Sequence, residues 1–125
     1  MDTIARWHDY MAAKDGALLD ELIADECVFR SPAVHSPQVG KAITLKYLGA
    51  AAQVLGTADF RYTGEWRAER SAVLEFESVV DGMSVNGVDI IAWGADGRIT
   101  SFKVMVRPIK GLNALVAAMA AALAG

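Results

Sequence analysis

The first 55 residues place apolar side chains at helical spacing in three segments. The first stripe recurs at i, i+3, i+4 and i+7 and consists of Ile4, Trp7, His8 and Met11. It predicts a helix that opens with a cap at Asp2 or Thr3 and ends at a break in residues 14–16. The second, shorter stripe consists of Leu18, Leu19, Leu22 and Ile23. An alanine-rich run over residues 41–55, closed by Gly56, predicts the third helix.

A short strand is predicted between the second and third helices. Residues 26–30 read Glu-Cys-Val-Phe-Arg, and Pro32 ends the strand because proline cannot donate a hydrogen bond to a neighbouring strand. The loop that follows, up to Gly40, holds His35 and Pro37 and is too short to be a linker.

After Gly56 the pattern changes to the period of two that is typical of strands. Four such runs follow: residues 58–67, 71–80, 85–93 and 98–107. Asp81-Gly82 predicts a turn between the second and third runs, and the loop over residues 94–97 predicts a hairpin between the third and fourth. Pro108 ends the last strand, and the apolar run over residues 112–123 predicts a final helix.

This order of elements predicts an α+β fold with one domain over residues 1–125. Three helices and one early strand precede a four-strand antiparallel meander, and a helix closes the chain. We expect a curved antiparallel sheet to wrap around the N-terminal helices. Such a sheet forms a cone with an internal apolar pocket.

Composition and charge exclude several classes of function. The chain has 125 residues, 54% of them hydrophobic, and a net charge of −3 without clustered Lys or Arg, which argues against nucleic acid and against an anionic membrane as partners. Cys27 is the single cysteine, so no intrachain disulfide forms and we expect a cytoplasmic protein. The N-terminus lacks the pattern of a signal peptide, and the apolar C-terminal run is shorter than the roughly 20 residues of a membrane span.

Asp89 is the most informative residue, because it is the one charge in the apolar run over residues 85–93. If its side chain faces the pocket, burial raises the pKa of the carboxyl group. A neutral acid can then donate a hydrogen bond to a substrate oxygen, and a modest rise makes it a general base near neutral pH. Both faces of this run are apolar, so alternation leaves open that Asp89 faces solvent or has a structural hydrogen bond instead.

The remaining candidates follow from the same alternation. We expect the pocket to be lined by Trp7, Met11, Tyr47, Phe76, Trp93, Phe102 and Val104, with Tyr10 and Tyr62 as weaker candidates. Ser31, in the loop after the first strand, is a further candidate for contact with the ligand. His35, in the loop at the rim, is a second catalytic candidate because histidine titrates near pH 7. Neither histidine has metal-ligating residues at suitable spacing, so we expect no metal and no cofactor.

Several motifs resemble the SnoaL-like, nuclear-transport-factor-two-like superfamily, across nearly the whole chain. They are Ala-Asp-Glu before the first strand, Ser-Pro after it, the helix start at Gly40 and Asp-Gly-Arg-Ile at the hairpin tip. Val-Asn-Gly-Val-Asp-Ile-Ile and Lys-Val-Met-Val-Arg-Pro resemble a bacterial subgroup of small SnoaL-like proteins. The resemblance implies the cone fold. The superfamily includes ketosteroid isomerases, epoxide hydrolases, dehydratases, cyclases and non-catalytic modules, so the resemblance does not identify a reaction.

The resemblance to ketosteroid isomerase is partial at the catalytic positions. Asp89 falls where that family keeps an oxyanion-hole aspartic acid, an acid held neutral by an apolar site. Ser31 stands at the position of the general base, and Trp7 stands at the position of a catalytic tyrosine. The resemblance therefore does not predict steroid isomerisation.

The sequence predicts a protein that binds a hydrophobic small molecule. One hypothesis is cofactor-free isomerisation, dehydration or cyclisation through Asp89, with Trp7, Ser31 and His35 orienting the substrate. The alternatives are a non-catalytic ligand-binding protein and a dimerisation module. The resemblance also implies a homodimer formed through the outer face of the sheet, where Val88, Ile90 and Met105 supply an apolar patch.

Overall fold

The computed structural model describes residues 2–124, which form four helices and six strands. The helices are α1 (Thr3–Ala13), α2 (Gly16–Leu22), α3 (Lys41–Leu55) and α4 (Ile109–Ala124). The strands are β1 (Ile23–Arg30), β2 (Gln38–Val39), β3 (Arg61–Arg67), β4 (Ser71–Val80), β5 (Met83–Trp93) and β6 (Ile99–Arg107). The predicted α+β class and the meander β3–β6 are confirmed.

The strands form one curved, unclosed sheet in the order β2-β1-β6-β5-β4-β3. The prediction of an antiparallel sheet is corrected in one respect, because β1 pairs with β6 in parallel and makes the sheet mixed. A crossover that contains β2, α3 and β3–β5 separates the two strands, and a long connection of this kind can return the chain in the same direction. The two-residue strand β2 was not predicted, since so short a segment carries no periodic pattern.

The register of the meander decides which face of β5 points inward. Asp89 lies between Leu74 of β4 and Val104 of β6, and all three side chains are buried. Asp89 is only 7% exposed. The carboxyl group therefore faces the concave side of the sheet, which the helices cover.

The N-terminal helices pack against this concave side. The side chain of Asp2 caps α1 by accepting a hydrogen bond from the backbone N–H of Ile4 at 3.0 Å, as predicted. The buried face of α1 includes Trp7 and Tyr10, and α3 contributes Leu48 and Leu55 to the same core. The helical stripe at the start of the chain thus becomes one wall of the cone.

The outer face of the sheet carries Val88, Ile90 and Met105, which alternate with the buried residues of their strands. Met105 is 53% exposed. This arrangement places the three residues on one surface, and the homodimer through that surface stays a prediction.

Helix α4 closes the open end of the cone through a close approach to the start of β5. Gly111 is buried there, and a Cβ atom at this position would meet the carbonyl oxygen of Ser84 and lie 2.8 Å from Cγ1 of Val85. A side chain is therefore sterically excluded, so glycine sets the distance at which α4 docks.

We predict opposite stability effects for the same substitution in two helices. Gly49→Ala in α3 meets no atom within 4 Å and gains helix propensity, so it raises the free energy of unfolding by about 0.5–1 kcal/mol. Gly111→Ala forces α4 away from β5 and lowers that free energy by roughly 1–3 kcal/mol. Urea unfolding measures both, and equal stabilisation by the two variants contradicts the close docking of α4.

Candidate functional site

The cone encloses a cavity of about 210 Å³. Its walls come from both ends of the chain, because α1, β1, α3, the meander and α4 each contribute side chains. An apolar cavity of about 150 Å³ in another protein holds benzene, so the space suits a ring or a short aliphatic group. Leu115 and Met119 of α4 form part of the wall, so the final helix covers the cavity of its own chain.

Eight of the ten predicted site residues line this cavity. They are Trp7, Met11, Ser31, Tyr47, Phe76, Asp89, Phe102 and Val104. The aromatic members contact one another, with the ring centres of Trp7 and Phe102 4.9 Å apart. The side chains that the sequence distributes over 98 positions thus meet around one carboxyl group.

The structure places the other two predicted residues outside the cavity. Trp93 lies four residues beyond Asp89, about 13 Å along the strand, and the fully buried Ile91 fills the space between them. A register irregularity between Ala92 and Trp93 also interrupts the alternation from which Trp93 was predicted to line the pocket. His35 is exposed and lies in a separate groove beside the loop that follows β1.

A chain of two hydrogen bonds ends at Asp89. Trp7 of α1 donates its indole N–H to the hydroxyl oxygen of Tyr62 at 2.8 Å. Tyr62 of β3 donates its O–H to Oδ2 of Asp89 at 2.7 Å. Because an indole nitrogen can only donate, it occupies an acceptor position of the hydroxyl group and directs the hydroxyl hydrogen towards Asp89.

Burial raises the pKa of both acidic side chains in this hydrogen-bond chain, Asp89 and Tyr62. Removal from water raises the pKa of Asp89 to about 7, although the hydrogen bond from Tyr62 lowers it. Burial and the neighbouring Asp89 carboxylate raise the pKa of Tyr62 well above its ordinary value. Near neutral pH, Asp89 is therefore present in both protonation states while Tyr62 keeps its proton.

The two oxygens of Asp89 have different roles. Oδ2 accepts the hydrogen bond from Tyr62, whereas Oδ1 has no hydrogen-bond partner among residues 2–124. No fully buried side-chain nitrogen or oxygen in that part of the chain lacks a partner, so Oδ1 is accessible from the cavity. Since Oδ2 is held as an acceptor, the proton of the neutral acid sits on Oδ1 and faces the cavity.

Tyr62 was only a weaker candidate from the sequence, but its hydroxyl group donates a hydrogen bond to Asp89. The alternation over residues 58–67 places Tyr62 and Phe60 on one face, and this was the available signal. Its pairing with Asp89 depends on β3, β4 and β5 lying side by side in register, with Tyr62 opposite Phe76 and Phe76 opposite Gly87. A Cβ atom at Gly87 would lie within 3.0 Å of Cε2 of Phe76, so the glycine makes room for the ring beside Asp89.

Ser31 lines the cavity with its hydroxyl group held in a tight turn. Its Oγ accepts a hydrogen bond from the backbone N–H of Ala33 at 3.0 Å. This bond uses an acceptor position and leaves the O–H free to donate to a ligand. Ser31 is thus a hydrogen-bond donor for the cavity.

His8 lies at the rim in a polar network and does not line the cavity. Its Nε2 atom is 2.9 Å from Oε1 of Glu65, and the Nε–H of Arg67 donates to Oε2 of Glu65 at 2.6 Å. The hydrogen bonds from His8 and then Arg67 lower the pKa of Glu65. The network ties α1 to β3, the two elements that carry Trp7 and Tyr62.

Residues 2–124 give no support for a metal site, a reactive cysteine or a membrane-spanning helix. No three His, Cys, Asp or Glu side chains in this range lie close enough together to bind a metal ion. Burial raises the pKa of the Cys27 thiol to about 11, which keeps it unreactive at neutral pH. No helix in the same range is long and apolar enough to cross a membrane.

Comparison with known proteins identifies the family. Residues 4–102 match the SnoaL-like domain, and the chain belongs to this family. The predicted superfamily and cone fold are thereby confirmed. No protein of curated function matches the chain.

Solved structures of related chains agree with this assignment. A steroid delta-isomerase from Pseudomonas aeruginosa is 39% identical, with 98% of this chain and 89% of that one covered and a TM-score of 0.92. An uncharacterized protein with a cystatin-like fold from Silicibacter pomeroyi is 33% identical over 95% of this chain and 83% of that one, with a TM-score of 0.87. An NTF2-like protein from Mesorhizobium loti is 26% identical over 85% and 88%, with a TM-score of 0.73.

We predict that Tyr62→Phe raises the pKa of Asp89 above 7. The substitution removes the hydrogen bond that stabilises the carboxylate and leaves burial unchanged. Carbon-13 NMR of the carboxyl group measures the shift. Tyr47→Phe is the matched control, because Tyr47 lines the cavity without a hydrogen bond to Asp89. An unchanged pKa in Tyr62→Phe contradicts the hydrogen bond.

We also predict that the protein loses stability as the pH rises from about 4 to about 7. The folded pKa of Asp89 lies above the unfolded value of about 3.9, so over this window the folded state keeps a proton that the unfolded state has released. The expected loss in the free energy of unfolding is on the order of 3–4 kcal/mol, at about 1.4 kcal/mol per pKa unit.

Urea unfolding at several pH values measures this loss. Asp89→Asn removes it, whereas Asp59→Asn, at an exposed position, retains it. If the pH dependence of Asp89→Asn equals that of the wild type, another group is responsible.

Proposed function

We propose that this SnoaL-like protein binds an apolar small molecule in its cavity and moves a proton to and from it through Oδ1 of Asp89, without a cofactor. The main support is the hydrogen-bond chain from Trp7 through Tyr62 to Oδ2 of Asp89, which leaves Oδ1 of Asp89 facing the cavity. The 39% identity to a protein described as a steroid delta-isomerase supports an isomerase-type reaction.

The proton transfer follows from the two protonation states of Asp89. As a carboxylate, Oδ1 accepts a proton from a carbon next to a carbonyl group: the C–H bond breaks, its electron pair enters the conjugated system, and an O–H bond forms. The neutral acid then returns the proton to another carbon and the O–H bond breaks, which shifts a double bond. A base with a pKa near the working pH suits both steps.

The cavity also supplies hydrogen-bond donors for the substrate oxygen. The hydroxyl group of Ser31 is free to donate, and Tyr47 contributes a second hydroxyl to the lining. Donors aimed at an oxygen that gains negative charge lower the barrier for enolate formation. In this proposal Ser31 and Tyr47 orient the substrate and Asp89 transfers the proton.

Ligand binding without turnover is the second candidate function. Among residues 2–124, Asp89 is the only Asp or Glu side chain that lines the cavity, and no Lys, Arg or His joins it there. A single acid can serve as an anchor that fixes the orientation of a bound oxygen-containing ligand. Under this alternative the ligand binds and no C–H bond breaks.

We expect the wild-type protein to catalyse exchange of α-hydrogens of small cyclic ketones for deuterium in D₂O. Proton NMR follows the loss of the α-hydrogen signal. The rate rises with pH around a midpoint near 7, because the carboxylate of Asp89 is the base. Asp89→Asn lowers the rate by about 100-fold or more, and Tyr62→Phe moves the midpoint upwards.

Asp59→Asn is the control and keeps the full rate, because Asp59 is exposed and does not line the cavity. Equal exchange by Asp89→Asn and the wild type overturns the role of Asp89. Ketone binding that shifts the Trp7 indole N–H signal, with no exchange above that of buffer, supports the binding protein instead.

A further inference from the structure

A second depression, which we call the basic groove, lies beside the loop after β1. It is lined by Arg30, His35 and Lys103, by residues 31–34 and 104–106, and by Leu112 of α4. Its volume is about 480 Å³, and no Asp or Glu side chain of residues 2–124 lines it. The groove is thus positive in a chain whose net charge is −3.

Two of the basic residues are adjacent across the parallel strand pair. Arg30 of β1 is in register with Lys103 of β6. Like charges on neighbouring strands repel each other unless a counter-charge compensates them. Arg6, Lys41, Arg61 and Arg67 each have a carboxylate within 4.0 Å, whereas neither Arg30 nor Lys103 has one in residues 2–124.

The basic groove and the cavity are next to each other. They share five lining residues, which are Ser31, Pro32, Ala33, Val34 and Val104. Charge is divided between them, because among the described residues the cavity holds the acid Asp89 and the groove holds the basic side chains. An anionic group would be repelled by the carboxylate in the cavity and attracted by Arg30 and Lys103 outside it.

We propose that the ligand is an amphipathic carboxylate, whose apolar part occupies the cavity and whose carboxylate binds Arg30 and Lys103 in the basic groove. The position of the apolar part rests on the proposed function. The basic groove adds a charged anchor to the polar residues Asp89, Ser31 and Tyr47 of the cavity, and this anchor sets which end of the ligand lies outside the cavity. Arg30 and Lys103 thereby select acids over neutral molecules of the same shape.

The test compares octanoate with 1-octanol, which have alkyl chains of the same length. NMR titration of the wild-type protein follows the Trp7 indole N–H for the cavity and the side-chain nitrogens of Arg30 and Lys103 for the groove. We expect octanoate to bind about five- to tenfold more tightly at low salt. Added salt weakens octanoate binding and leaves 1-octanol binding unchanged.

The double variant Arg30→Gln/Lys103→Gln is expected to lose the preference for octanoate and to bind 1-octanol like the wild type. The control Lys46→Gln/Arg98→Gln removes the same charge at exposed positions that line neither the cavity nor the groove, and it keeps the preference.

Equal affinity of the wild type for both ligands, or a preference that survives in Arg30→Gln/Lys103→Gln, overturns the basic groove as the carboxylate site. Binding of 1-octanol at Trp7 then still supports the cavity of the proposed function. Octanoate binding that leaves the Trp7 signal unmoved overturns the two-part ligand. No binding of 1-octanol contradicts the apolar cavity itself.

Discussion

The structure depends on burying one carboxyl group in an apolar cavity. An unpaired buried polar group costs several kcal/mol, so Asp89 requires a partner. Tyr62 provides it, and Trp7 orients Tyr62 through a bond in which the indole can only donate. These residues come from α1, β3 and β5, so the cost of burial is met only when helix and sheet are assembled around the cavity. The same burial brings the pKa of Asp89 to about 7.

The cavity itself results from two long-range contacts. The parallel pairing of β1 with β6 brings Phe29 beside Phe102 and sets the loop after β1 at the rim. At the other end of the chain, α4 docks on β5 through Gly111 and covers the cavity with Leu115 and Met119. Neither contact fills the space, because the sheet curves away from the helices and leaves room between them.

Membership of the SnoaL-like family explains the fold, whereas the chemistry of the site depends on individual residues. Ser31 offers the cavity a hydroxyl group that can donate, and Trp7 donates its indole N–H to Tyr62. Among the described residues Asp89 is then the one carboxylic acid that lines the cavity, and its Oδ1 atom is accessible there. The basic side chains lie outside, in the groove that shares the loop over residues 31–34.

The sequence by itself determined the elements other than the two-residue β2, because helix and strand periods are local properties of the chain. Helix α3 and strand β4 have the predicted bounds, and the meander follows the predicted order. It also singled out Asp89 as a charge in an apolar run. Only the tertiary structure decided which way that carboxyl group points, since both faces of its strand are apolar. The partner Tyr62, the parallel pairing of β1 and the exclusion of Trp93 likewise depend on the register between paired strands, and of these pairs β1 and β6 lie far apart in the chain. A local pattern specifies the buried face of a strand only where one face is apolar and the other polar, and β5 is apolar on both faces.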